Sequence, residues 1–349
     1  MIGERYQTHP IIHLFCDTQD FISSEHQNFL QDFYITLASC NAQSADTKKY
    51  SEMVLEVNNT KAILTKLLNS NYLSQPTLIK AVLQFTRLCI SIGDCSDKLI
   101  SQAVTFLEQS QSQDQSNRLL LIQCLRCWGN LFSKLRDCQN AMSKLHEAEE
   151  QCLSLKNEGP LYGKILSKLG DVHLQRNGLD EAEVIYKKAL ICCQGSKADL
   201  GDIFYKLGDI YIEQRKWDEA EASYQQASKL FDAASSMGQD NVYAGLGTVY
   251  KKKNQLDKAE AAFQKALELH KTANELHAQG CDYADLGDVY LRLDKLERAE
   301  ITLKKALELH IMTNSIISKA VDYELLEDVS LKQNRLNDAE ASFQKTLHL

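Results

Sequence analysis

The stretch LGDVYLRLDKLERAEITLKKAL, residues 286–307, decides the fold. Tyr283, Leu286, Gly287 and Tyr290 fall at spacings of three and four, the periodicity of one helical face. Asp294-Lys295 interrupts that face and predicts a turn, after which a second helix runs to Lys304-Lys305. Bases at its end complement the helix dipole, as acids at the start do in sister segments: Asp180-Glu181, Asp218-Glu219 and Asp257. Ala299 stands where the two helices of such a hairpin cross, and a larger side chain there would push them apart. Gly287 in a helix interior costs about 1 kcal/mol against Ala. Close approach of a neighbouring helix is the reason expected for it.

Outward from this stretch the same pattern recurs at 169–190, 207–228, 246–267 and 326–347, with a weaker copy at 128–149. The glycine column reads Gly129, Gly170, Gly208, Gly247, Gly287 and, in the last copy, Glu327, so the period is near 40 residues. Ala182, Ala220, Ala259 and Ala339 repeat the crossing position. Tyr186, Tyr224, Phe263 and Phe343 repeat an aromatic one turn later, which is expected to fill the space between units. Repeated hairpins of this kind stack into an array without a single centre.

Leu-Gly-x-x-Tyr followed by Ala-x-x-x-aromatic-x-x-Ala resembles the tetratricopeptide repeat. The resemblance covers roughly residues 121–349 and implies an all-α fold, a right-handed α-α superhelix of about six repeats. The period departs from the usual 34, implying helices extended by a turn or longer loops between repeats. It is closer to kinesin-light-chain and Leu-Gly-Asn type repeats. The proline that often closes each unit is missing.

Composition narrows the classes of function. A net charge of −8 argues against non-specific nucleic-acid binding, which needs excess Lys and Arg, and against docking on an anionic membrane. No apolar run is long enough to span a bilayer. Eleven cysteines, several expected at packing positions such as Cys89, Cys192 and Cys281, point to a reducing, cytoplasmic setting.

The array takes residues 121–349; residues 76–120 read as a degenerate hairpin stopped at Gly93-Asp94 and restarted at Ser96 or Asp97, and residues 1–75 as a linker-like helical segment. Within the latter, 21–40 and 50–70 each read as an amphipathic helix, with 41–49 a polar loop. QDFYITLA (31–38), the run at 50–69, AVLQFTRLCISIGDCSDKLISQA (81–103) and CLRCWGNLF (124–132) resemble the segment after the ATPase in fungal STAND-type, NLR-like proteins. That resemblance implies a sensor or scaffold role in signalling. Gly159 to Lys164 lacks the phosphate-loop spacing, so no nucleotide site is carried over.

In the tetratricopeptide resemblance the residue after each glycine faces the concave groove. Here that column is Asn130, Asp171, Asp209, Thr248, Asp288 and Asp328. It is either an acceptor ladder for a ligand's amides and cations or a face whose acids pair with nearby lysines. One turn on stand Leu174, Ile212, Lys251, Leu291 and Leu331, which either flank a ligand or pack on the adjacent unit. One turn before stand Arg126, Ser167, Tyr205, Ala244, Ala284 and Glu324, too neutral or acidic to clamp a chaperone-type C-terminal carboxylate. The ligand expected is a protein, a basic or amphipathic peptide or helix. Reversing Asp209 and Asp288 to Lys is expected to abolish binding and leave the fold intact.

Candidate chemistry is sparse. Cys124, Cys127, Cys138 and His146 invite zinc, but no second pair closes the shell, so neither metal nor cofactor is expected. His270 and His310 recur in ELH triplets at helix ends, where a structural role with the helix dipole is expected. No catalytic constellation stands apart from the repeats. Besides the scaffold, two readings stay open: a regulatory subunit self-associating through its last repeat or serving a separate ATPase, and an enzyme with a site in the N-terminal third.

Overall fold

A computed structural model describes residues 61–349, apart from 63, 66, 69–74, 93–95, 110–113, 157–158, 194–195, 235–237 and 348–349. The helices expected at 21–40 and over most of 50–70, the loop at 41–49, the stop at Gly93-Asp94, the segment at 31–38 and most of that at 50–69 lie outside the described residues. Every described element is helical and no strand occurs among the described residues.

The chain divides into two compact units, Met1–Cys192 and Cys193–Leu349. In the first, α1 (Gln75–Ile92) and α2 (Lys98–Gln109) form the degenerate hairpin, and both pack on α3 (Gln115–Lys134). Next come α4 (Cys138–Ser154), α5 (Pro160–Gln175) and α6 (Leu179–Cys192), paired as α3/α4 and α5/α6. Local chemistry starts these helices. Asp114 and Asp137 accept hydrogen bonds from the backbone N–H of Asn117 and Asn140, and Pro160 opens α5.

Among its described residues the second unit holds four hairpins. They are α7 (Lys197–Glu213) with α8 (Trp217–Ala234), α9 (Gln239–Lys252) with α10 (Leu256–Thr272), α11 (Leu276–Arg292) with α12 (Leu296–Met312), and α13 (Ile316–Lys332) with α14 (Leu336–Leu347). The long period resides in the helices. From α10 to α13 each has 17 residues and the links between them have three. Links within and between hairpins use one device. Asn274, Asp294, Asn314 and Asn334 are left-handed, with φ from 52° to 60°. The N–H of the next residue returns to a carbonyl five positions back, as in Lys295 to Tyr290 at 2.9 Å and Ser315 to His310 at 3.0 Å. Asn and Asp tolerate that backbone better than most residues. Arg215 takes the same place after α7, at φ 57°.

The glycine column does what its recurrence required. A Cβ on Gly208 would stand 2.7 Å from the Tyr224 ring, and one on Gly247 2.7 Å from Phe263. The aromatics therefore press on their own hairpin's first helix, and Tyr224 also reaches Gly245 of the next repeat. In the last repeat Glu327 replaces the glycine, and Phe343 is 49% exposed where Phe263 is fully buried. Phe343 thus departs from the expectation that it fills a gap between units. The core between the second and fourth hairpins is built from Ala259, Phe263, Leu286, Val289, Ala299, Leu303 and Val329. Cys89 is buried as expected, Cys192 is half-buried, and Cys281 is exposed instead of packed.

Candidate functional site

In the second unit the first helices stand side by side, α7 by α9, α9 by α11 and α11 by α13, with the second helices behind them. Tyr205, Asp209, Ile212, Thr248, Lys251, Asp288, Leu291, Asp328 and Leu331 all lie on this row. Asn130, Asp171 and Leu174 belong to the first unit, on α3 and α5, where Asn130, Asp171 and Leu174 are half-buried.

Most of the acidic column is engaged by the protein itself. The Tyr186 hydroxyl donates to Asp171 at 2.6 Å, and Lys168 pairs with its other oxygen at 2.7 Å. The Tyr224 hydroxyl donates to Asp209 at 2.7 Å, and Tyr205 also bonds it. Burial raises the Asp209 pKa, against the lowering effect of Tyr224 and Lys206. Lys251 bridges from α9 to α11, 2.6 Å from Asp285 and 3.0 Å from Asp288, and Arg292 holds the other Asp288 oxygen at 2.9 Å. Burial opposes ionisation of Asp288, but Arg292 and Lys251 prevail and hold its carboxyl below the usual range. Thr248 donates to the Ala244 carbonyl within its own helix. Asp328 is exposed.

These partners correct one expectation. Asp209→Lys would strand the hydroxyl of the buried Tyr224, and Asp288→Lys would set a cation against Lys251 and Arg292. The pair of reversals would damage the fold along with any binding. The apolar column grades along the array: Leu174 and Ile212 are half-buried, Leu291 is 6% exposed, and Leu331, on the last described hairpin, is 48% exposed.

A cleft of about 530 Å3 opens beside this row, lined by Asn241, Ala244, His270, Glu275, His277, Cys281, Asp282 and Asp285 among others. The helix-end histidines, of which His270 lines this cleft, make bonds the sequence reading missed. His270 Nδ1 lies 2.6 Å from Asp282, and His310 Nδ1 lies 2.6 Å from Asp322, each pair buried and each joining a second helix to the next hairpin's first. Cross-repeat pairing, more than the helix dipole, accounts for these histidines. The signal was available: 270 and 310, and 282 and 322, each differ by one period. Burial, followed by the charges of Asp285, Asp282 and Asp322, pushes the Cys281 thiol up to about 11. On the opposite side, cations near each turn grip the preceding second helix: Lys253 to Glu221 at 2.6 Å, Lys295 to Glu260 at 3.3 Å and Arg335 to Glu300 at 2.6 Å.

The cysteines of the first unit have other surroundings. Cys124 and Cys127 are buried thiols whose pKa burial raises. Cys138 lies 3.7 Å from Gln175, and His146 pairs with Glu149 at 3.0 Å.

The profile of the family described as "Tetratricopeptide repeat" matches residues 199–272 and 239–312, in overlapping windows each spanning two hairpins of the second unit. Residues 199–312 thus match tetratricopeptide repeats. Solved structures share the fold at low identity. A STAND protein with a tetratricopeptide repeat sensor from Pyrococcus horikoshii superposes at a TM-score of 0.65 and 15% identity, over 97% of this chain and 50% of that one. This chain therefore spans half the length of that protein. BtubC from P. vanneervenii matches at 0.55 and 18%, over 64% of this chain and 92% of its own. Aspartyl phosphate phosphatase F from Bacillus subtilis matches at 0.55 and 13%, over 94% of each chain. No curated protein matches the sequence. The chain is thus an all-α tetratricopeptide solenoid, and no described helix is long and apolar enough to cross a membrane.

Proposed function

We propose that the chain is a non-catalytic protein-binding scaffold and that the row of first helices in the second unit is its binding surface. The observation that carries this reading is the unlike chemistry along that row: exposed acids at Glu324 and Asp328, exposed Leu331 and half-buried Ile212, with a cleft lined by Glu275, Asp282 and Asp285 beside it. A basic amphipathic helix matches both, laying its apolar side on the row and its cations against the carboxylates. Asp209 and Asp288 contribute by shaping the wall, since their oxygens already have partners.

The test uses a labelled helical peptide patterned in Lys and Leu and its Glu/Leu counterpart, read by fluorescence anisotropy. The basic peptide is expected to bind, more weakly at high salt. Glu324→Lys with Asp328→Lys, both exposed positions, is expected to reduce affinity at least about tenfold, or 1.4 kcal/mol, with unchanged helical circular dichroism. Equal binding of both peptides, or of neither, overturns the proposal.

A sensor or scaffold role beside a signalling ATPase in the cytoplasm is the narrower form of the same proposal. It is tested by capturing a P-loop ATPase with the intact chain. Self-association is a second reading, favoured by apolar side chains exposed on the last hairpin: Ile317 at 82%, Leu336 at 63% and Leu347 at 68%. Light scattering decides it, a dimer mass supporting and a monomer mass at high concentration excluding it.

A further inference from the structure

We propose that His277, Cys281 and His310 form a zinc site in the second unit, with the fourth coordination position open to the cleft. His277 and Cys281 are one turn apart on α11, and His310 reaches them from the end of α12. Cys281 Sγ lies 3.4 Å from His277 Nδ1 and 3.7 Å from His310 Nε2, and all three ligand atoms are within 4.8 Å of one another. Zinc bound at about 2.3 Å to sulfur and about 2.0–2.1 Å to nitrogen holds tetrahedral ligands roughly 3.3–3.6 Å apart. The three donors already stand near the corners of one face of such a tetrahedron.

The surroundings suit a borderline-soft cation. Asp322, 0% exposed at its side chain, bonds His310 Nδ1 at 2.6 Å. That contact fixes the tautomer, leaving the Nε2 lone pair directed toward Cys281; carboxylate support behind a histidine is the usual outer shell of a zinc ligand. Asp282 and Asp285 add negative charge beside the sulfur. Gly280 leaves room for the ring, since a Cβ there would stand 2.5 Å from His310 Nε2. His277 is exposed and the Cys281 thiol partly so, so an ion has a path in from the cleft.

Comparison between repeats separates this cluster from ordinary packing. The His–Asp pair recurs at His270–Asp282 and belongs to the repeat. The other two donors do not recur: one period later their places are Ile317 and Val321, and one period before Cys281 is Asn241. A helix face that needs only to pack has no use for an exposed imidazole and thiol at one repeat. Three protein donors with an open position describe a site where water, or a donor from a bound partner, completes the shell.

The experiment uses the full chain, stripped with chelator under reducing conditions and titrated with zinc against a chromophoric competitor, and in parallel with cobalt. One equivalent is expected to bind with a thiolate-to-cobalt charge-transfer band, and zinc is expected to raise the melting temperature. Cys281→Ser and His277→Ala, both exposed and therefore safe for folding, should each lose the charge-transfer band or weaken zinc at least tenfold. Asp322→Asn, a positioning change, should weaken zinc by about 10- to 100-fold. Absence of the cobalt band in the wild type, or binding of equal stoichiometry and affinity in Cys281→Ser and His277→Ala, overturns the proposal. The second result would assign the ion to other thiols. Peptide binding is read separately, so loss of the zinc site and loss of the scaffold reading are distinguishable.

Discussion

Asp209 shows how one residue can be conspicuous in the sequence and structural in use. Its oxygens receive the hydroxyls of Tyr224 and Tyr205 in a site dry enough to raise its pKa. A carboxyl raised in the folded state binds more protons folded than unfolded, in the window from its unfolded value near 4 up to its folded one. Its contribution to stability is therefore full below that window and declines as pH rises through it. Asp209→Asn should remove that decline, seen as a flatter plot of urea midpoint against pH. Tyr224→Phe leaves a buried carboxylate short of a donor and should destabilise the fold by about 1–3 kcal/mol, measured at neutral pH by denaturant unfolding. Arg215 is the converse case, an ordinary residue in a left-handed position. Arg215→Asn should stabilise by roughly 0.5–1 kcal/mol, since Asn accepts that backbone more readily. The sequence pointed to the Asp column because it recurs; it could not show that the partner hydroxyl arrives 15 residues later from the facing helix.

At the scale of elements, the hairpin is set by a glycine facing a ring. Gly247→Ala gains about 1 kcal/mol of helix propensity yet forces a fully buried Phe263 ring to move, an overpacking that costs about 1–3 kcal/mol. Net destabilisation is expected, visible as a lower melting temperature; an unchanged or higher one would show that the hairpin opens easily. Helix positions and turns were legible from periodicity and from Asn or Asp at the breaks. The period alone left the location of the six additional residues open, since 40 residues can be divided between helix and loop in several ways. The His277–Cys281–His310 cluster was illegible for a related reason. Two of its members are neighbours on one helix, but the third comes from the end of the next, and single-chain spacing carries no sign of that meeting.

On the scale of the whole molecule, the chain is two compact units, and its two tryptophans are divided between them: Trp128 on α3 in the first and Trp217 on α8 in the second. Arrays held by nearest-neighbour contacts need not unfold as one. Trp128→Phe and Trp217→Phe each leave one reporter, and guanidinium midpoints from the two variants should differ while circular dichroism spans both. Coincident midpoints would show a single cooperative body. The repeated grammar from residue 121 onward was readable because each copy corroborates the others; the boundary at Cys192 was not, because no change of composition marks it.

The three-residue links carry a genetic consequence. From α10 onward helices begin at Leu256, Leu276, Leu296, Ile316 and Leu336, one every 20 residues, each after the same left-handed step. Any two alternate steps are interchangeable splice points. Excising the 40 residues between them rejoins a junction chemically like the one removed, and duplicating them inserts a hairpin that fits both neighbours. Lengthening or shortening this stretch by unequal recombination would need no repair mutations at the seam.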